Sequence, residues 1–312
     1  MNTFYSRLDN QWGKGNFVCV GLDPVLGKIP GYNPNRSVEE FIFQFNREII
    51  DATADLVCAF KPNTAFYEGY GLEGLSALYR TITYIKMNYP GVIVIYDAKR
   101  GDIGNTNNGY AKAAFQYLKA DAITVQPYFG GKSLEPFLEK ADIGVIVLDK
   151  TSNEEGGEFQ DRLTLTPWKE FGDLMEGFSF DEIIARGFYE GSDCWRDLPN
   201  LGVLMPLAHL VALRVSREWN YYDNCALVVG ATYPEYIAKI RFLASGLPLL
   251  IPGVGTQGGD VEKTVKAGVD KNCAGFIINS SSGIIHASSE PDFAQVARQK
   301  TIELSKSINE FR

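Results

Sequence analysis

Histidine is almost missing from this chain of 312 residues, in which His209 and His286 are the only two. The five cysteines, Cys19, Cys58, Cys194, Cys225 and Cys273, are odd in number and widely scattered. They allow neither a disulfide framework nor CxxC metal spacing. With so few nitrogen ligands, a zinc site built from His and Cys is not expected. Four of the cysteines lie in or beside apolar runs, where a free thiol behaves as a small hydrophobe. His209 reads as a helix residue and His286 as a loop residue, and neither is given a catalytic part.

Positive charge is also short, with 30 Lys and Arg against 38 Asp and Glu and a net charge of −8. General affinity for nucleic acid needs a basic footprint, so no nucleic-acid partner is expected and any phosphate site must be local. No apolar run is long enough to cross a bilayer. The opening Met1-Asn2-Thr3-Phe4-Tyr5-Ser6-Arg7 has no apolar signal-peptide core. The expected compartment is the cytoplasm, with no membrane partner.

What the chain does have is alternation. Short β-branched runs at 17–20, 56–60, 92–96, 122–125, 144–148, 225–229, 248–251 and 275–278 are separated by segments of helical period, including 37–53, 75–87, 207–219, 235–243 and 293–308. That alternation is the signature of a parallel sheet, and Ser37-Val38-Glu39-Glu40 matches a capping box. Eight such βα units predict a (β/α)8 TIM barrel, an α/β fold of one domain covering 1–312. The fifth and sixth runs stand much too far apart for a single helix. The stretch of about 153–205 is therefore expected to be an insertion with some helix, its aromatics forming a small core of their own.

In such barrels chemistry gathers at the C-terminal ends of the strands. The residues following the runs are polar in every case: Asp23, Lys61, Asp97 and Lys99, Gln126, Lys150 to Asn153, Thr232, the loop 252–260, and Asn279 to Ser282. The third end is the densest, reading Asp97-Ala98-Lys99-Arg100-Gly101-Asp102-Ile103-Gly104-Asn105-Thr106. In an extended segment residues i and i+2 share one side, so Asp97 and Lys99 leave together and Asp102 follows a Gly-assisted turn. A lysine held between carboxylates stays protonated. That suits a proton donor or carbanion stabiliser, not a Schiff-base nucleophile, whose pKa must fall. The plainer reading of the same residues is a surface salt-bridge cluster. Glycines in the seventh and eighth loops, with Gly255, Gly258, Ser281 and Ser282 among their residues, outline a phosphate cradle at the place where barrels commonly bind phosphate.

With Phe60-Lys61-Pro62-Asn63, the DxKxxDI segment from Asp97 to Ile103, Lys150-Thr151-Ser152-Asn153, Val229-Gly230-Ala231-Thr232 and the PGVGTQGGD loop in this order, the chain resembles the orotidine 5'-monophosphate decarboxylases, most closely their longer bacterial branch. The similarity covers nearly the whole chain and is weakest at the termini and across 165–205. It implies a decarboxylase of pyrimidine biosynthesis that needs no cofactor and no metal, turns orotidine 5'-monophosphate into UMP, and works as a homodimer with shared sites. By motif, Lys61, Asp97, Lys99 and Asp102 correspond to the catalytic array, with Lys99 stabilising and then protonating the C6 carbanion. Asp102, Ile103 and Thr106 would reach into the partner's site, and Asp23 and Lys61 would bind the ribose hydroxyls. Ser152 falls where the family contacts the pyrimidine, and Gln257 where it bridges towards the phosphate.

One departure stands out. The family has a phosphate-gripping arginine in a Ser-Ser-Arg pattern after the eighth strand, whereas this chain reads Ser280-Ser281-Ser282. A hydroxyl does not replace the planar fork of arginine. Either the contact is lost, or a basic residue of the insertion, such as Arg162, Arg186 or Arg196, supplies it. The rival readings are a metal-dependent sugar-phosphate decarboxylase or epimerase of the same fold, a non-catalytic nucleotide-binding variant, and a Schiff-base aldolase using Lys99.

Overall fold

A computed structural model describes residues 3–191, 194–254 and 258–312. The expected runs become β1 (Val18–Gly21), β2 (Val57–Lys61), β3 (Ile93–Arg100), β4 (Ala122–Val125), β5 (Gly144–Leu148), β9 (Cys225–Val228), β10 (Leu249–Pro252) and β11 (Phe276–Ser280), with β6, β7 and β8 lying in the insertion. The eight form a closed barrel in the order β1-β2-β3-β4-β5-β9-β10-β11, and every neighbouring pair is parallel. Parallel strands are covered on both faces by the barrel interior and the helices. Accordingly β1, β2, β4 and β9 are buried at every residue.

The helix Phe4–Trp12 closes the N-terminal end. Phe4 packs where Gly144 has no side chain, since a Cβ there would come within 2.6 Å of its ring. Tyr5 donates its hydroxyl to the Cys225 carbonyl at 2.6 Å. The polar residues that follow the strands gather at the opposite, C-terminal end. On the helix Val38–Thr53, Ser37 accepts from the Glu40 amide at 3.3 Å as the capping pattern predicts. The Glu40 carboxylate, however, turns to Gln44 and Arg80 and does not complete the box.

The insertion is more ordered than its sequence led us to expect. Besides short helices it contains an antiparallel sheet of β6 (Leu163–Pro167), β8 (Gly202–Pro206) and β7 (Arg196–Leu198), with β8 in the middle. Its aromatics do form a core: Trp195 and Phe188 are fully buried, with ring centroids 4.7 Å apart. Trp195 Nε1 donates at 2.9 Å to Nδ1 of His209 on the helix Leu207–Arg214, which ties this layer to the barrel's own helices. No helix among the described residues is long and apolar enough to cross a membrane.

Candidate active site

The centre of the site is a carboxylate with two lysines on it. Asp97 Oδ2 accepts from Lys61 Nζ at 2.7 Å and Oδ1 from Lys99 Nζ at 2.7 Å. A third donor, the Thr124 hydroxyl from β4, reaches Oδ1 at 2.8 Å. Burial alone would raise the Asp97 pKa, but the two ammonium groups more than reverse this and hold it well below the usual carboxylate range. Burial alone would likewise lower the Lys61 pKa, yet Asp97 and then Asp23 outweigh it and push the ammonium up. Both members of that pair therefore stay charged.

The Asp97–Lys99 pairing was expected, but not its backbone route. Tyr96 pairs with Ile123 and Arg100 with Val125, so the three residues 97–99 face Thr124 alone across the ladder. The excess is taken up as a bulge, in which Lys99 adopts φ +46° and is not extended. Its amide donates to Thr124 Oγ1 at 2.9 Å. A left-handed conformation costs a non-glycine residue on the order of 1–3 kcal/mol, and bulges re-aim side chains next to active sites. Here the bulge lets Lys99 lean back onto Asp97 while its own side chain stays 48% exposed, against 7% for Asp97.

Asp23 sits at the edge of this array, accepting from the Asn63 amide at 3.2 Å. Ser281 closes over the end of β1, where a Cβ on Gly21 would come within 2.6 Å of its own Cβ. The Ser152 loop is set just as closely. Gly230 donates its N–H to the Lys150 carbonyl at 2.7 Å, and a Cβ on Gly230 would meet the Ser152 amide nitrogen at 2.7 Å. Gly258 takes a glycine conformation at φ +84°. Gly255 and Gln257 lie outside the described residues.

Asp102, Ile103 and Thr106 are not brought to the array within one chain. The Asp102 carboxylate accepts only from the Ile103 amide, at 2.7 Å, and forms no ion pair among the described residues. Thus, among the described residues, Lys99 is paired with Asp97 alone and not held between two carboxylates. Asn107 fixes this turn: Oδ1 accepts from the Asp102 amide at 3.0 Å, and Nδ2 donates to the carbonyls of Asp102 and Ser133 at 2.6 Å each. The turn points outward, with Ile103 63% exposed.

The sequence reading missed Thr124 and Asn107. Thr124 had a usable signal, as the one hydroxyl in the apolar run 122–125. Nor do the insertion's arginines serve the Ser281–Ser282 region: Arg162 donates to the Glu158 carbonyl, Arg196 belongs to β7, and Arg186 lines a cavity before the starts of β10 and β11. Among the described residues no group of three or more His, Cys, Asp or Glu could hold a metal ion.

Comparison with known proteins places the chain among related sequences and folds. Residues 16–174 match the sequence model of the Orotidine 5'-phosphate decarboxylase / HUMPS family. The orotidine 5'-phosphate decarboxylase of Ralstonia pickettii is 43% identical over 310 residues, spanning 99% of each chain. That of Cellvibrio japonicus is 41% identical over 308 residues, 98% of each chain. Among solved structures, Leishmania donovani OMP decarboxylase matches with a TM-score of 0.75 at 31% identity, over 99% of this chain and 98% of that one.

Proposed function

The chain belongs to the orotidine 5'-phosphate decarboxylase family, and from that premise we propose that it converts orotidine 5'-monophosphate to UMP in pyrimidine biosynthesis, using Lys99 as its acid. The observation that carries this reading is the Lys61–Asp97–Lys99 array at the C-terminal mouth of the barrel.

Breaking the C6–carboxylate bond leaves an electron pair at C6 with no adjacent π system to take it up. Stabilisation must then be electrostatic and already in place. Lys99 answers that need: its ammonium is anchored on a buried, ionised Asp97, which Lys61 and Thr124 hold in turn. As CO2 leaves, the ammonium faces the developing carbanion, and its proton passes to C6 to give UMP. The resulting amine recovers a proton from solvent, which its half-exposed side chain can reach. Asp23, beside Lys61, is the acceptor we assign to the ribose hydroxyls, and Ser152 is the contact for the pyrimidine.

We further propose that a second copy completes the site, with Asp102, Ile103 and Thr106 crossing the interface. The Asp102 carboxylate has no cation among the described residues of its own chain, and apolar side chains are exposed along the neighbouring elements. Leu72, Leu75, Tyr79, Tyr117, Tyr128 and Phe129 are all at least 40% exposed, and Tyr79 stacks on Tyr117 at 5.0 Å. Contiguous apolar surface of this kind marks an interface. The setting is the cytoplasm, where unpaired cysteines such as Cys19, Cys58 and Cys225 persist as thiols.

The test is UMP formation from orotidine 5'-monophosphate after exhaustive treatment with EDTA. Full activity supports the reading. Activity lost to the chelator and restored by a divalent cation points instead to the metal-dependent sugar-phosphate enzymes, and binding of UMP without turnover to a nucleotide-binding variant.

A further inference from the structure

Beside Asp23 a cavity of about 410 Å³ opens at the C-terminal ends of β1, β10 and β11. Its lining is mixed in chemistry. Two residues offer acceptors: the Asp23 carboxylate, and Asn279 Oδ1, a buried atom without a donor among the described residues on a residue only 7% exposed. Acceptors of that kind suit the hydroxyls of a sugar. The same cavity is lined by Ser281, Ser282, His286 and Lys28. The His286 ring is stacked on Phe45, with centroids 5.4 Å apart.

Lys28 is the only lysine or arginine lining this cavity, and it forms no ion pair or hydrogen bond among the described residues. It ends the single turn Leu26–Lys28, whose position is fixed where the Leu26 amide donates to the Tyr70 hydroxyl at 3.3 Å. The other lysines near the mouth, Lys61 and Lys99, are both engaged by Asp97. A phosphomonoester carries close to two negative charges at neutral pH, and no arginine among the described residues meets it here.

Resting on the decarboxylase reading, we infer that Lys28, from the loop after β1, grips the substrate's 5'-phosphate together with the Ser281 and Ser282 hydroxyls, taking over the charge that the family draws from the position of Ser282. The ammonium is a point charge on a flexible stem, not a rigid fork. It can reach the dianion without the backbone having to hold a bidentate geometry.

Titration calorimetry with UMP and with uridine, on the wild type, Lys28→Met and Lys28→Arg, tests this. Lys28→Met keeps the apolar stem and removes only the charge. It should weaken UMP binding at least about tenfold, on the scale of one charge-assisted hydrogen bond, while uridine binding stays within about twofold. Lys28→Arg should keep UMP affinity. Ser282→Arg placed in the Lys28→Met background should restore it, because both cations would serve one group. Equal weakening of UMP and uridine, no change in either, or failure of Ser282→Arg to restore UMP binding in a folded protein would overturn the assignment. The decarboxylase reading is scored separately, by wild-type turnover: a wild type that converts orotidine 5'-monophosphate with a Lys28→Met variant of unchanged UMP affinity refutes the Lys28 assignment alone.

Discussion

At the residue scale, Asp97 and Lys99 divide structural from chemical work. Asp97 is buried against a buried Lys61, and removing one partner of such a pair strands the other charge. Asp97→Asn should therefore destabilise the fold by about 3–5 kcal/mol, read from urea denaturation. Lys99 is half exposed, so Lys99→Ala should leave stability nearly unchanged while abolishing turnover. A stability loss from Lys99→Ala as large as that from Asp97→Asn would contradict this division. Since folding depresses the Asp97 pKa, its stabilising contribution is present above the ordinary carboxylate range and is lost as pH falls below it. Lys61, Asp97 and Lys99 were legible because charge following an apolar run is conspicuous. Lys28 was not, because a lone lysine in a loop carries no periodicity and only the closing of the barrel brings it into one cavity with Ser282.

At the element scale, the eight barrel strands were legible because burial on both faces writes them as continuous apolar runs. In the insertion only the middle strand is largely buried, while β6 and β7 are mostly exposed and carry no continuous apolar run, although Leu163-Thr164-Leu165-Thr166 alternates with period two. This layer is bound to the mouth through the Ser152 loop. Lys150 pairs with Asp161, and Gln160 both accepts from the Thr151 amide at 3.0 Å and donates to its hydroxyl at 2.8 Å. In the same region His209 is buried beside Lys239 and Lys150. Burial first, and then those two lysines, push its pKa down from 6.5 to about 3. The folded state thus refuses a proton that the unfolded chain accepts. The stability tied to a neutral His209 is complete above about pH 6.5 and is lost as pH falls from there towards 3. Thermal unfolding between about pH 7 and pH 5, where carboxylates titrate little, should show wild-type stability falling with acid and His209→Gln falling less. Parallel slopes would show that His209 is not the titrating group.

At the scale of the whole molecule, a single chain holds Lys61, Asp97 and Lys99 together but turns Asp102 outward. No sequence pattern in one chain says which copy a side chain will serve, so the shared site came to the sequence reading through family resemblance and not from spacing. What supports the proposal is that exposed Ile103 and a carboxylate with no cation among the described residues stand on the same turn. The central claim, that Lys99 and Asp102 act together on one substrate from two copies, is tested most directly by mixing two inactive proteins. Lys99→Ala and Asp102→Ala should each lose at least about 10²-fold in kcat with orotidine 5'-monophosphate, as expected for removal of a preorganised electrostatic group. In each hybrid dimer one site loses both residues and the other keeps both. Unfolding and refolding an equal mixture should then recover up to about a quarter of wild-type activity, the share expected for random pairing in a two-fold dimer. Hybrids that form but remain as inactive as their parents would contradict the account.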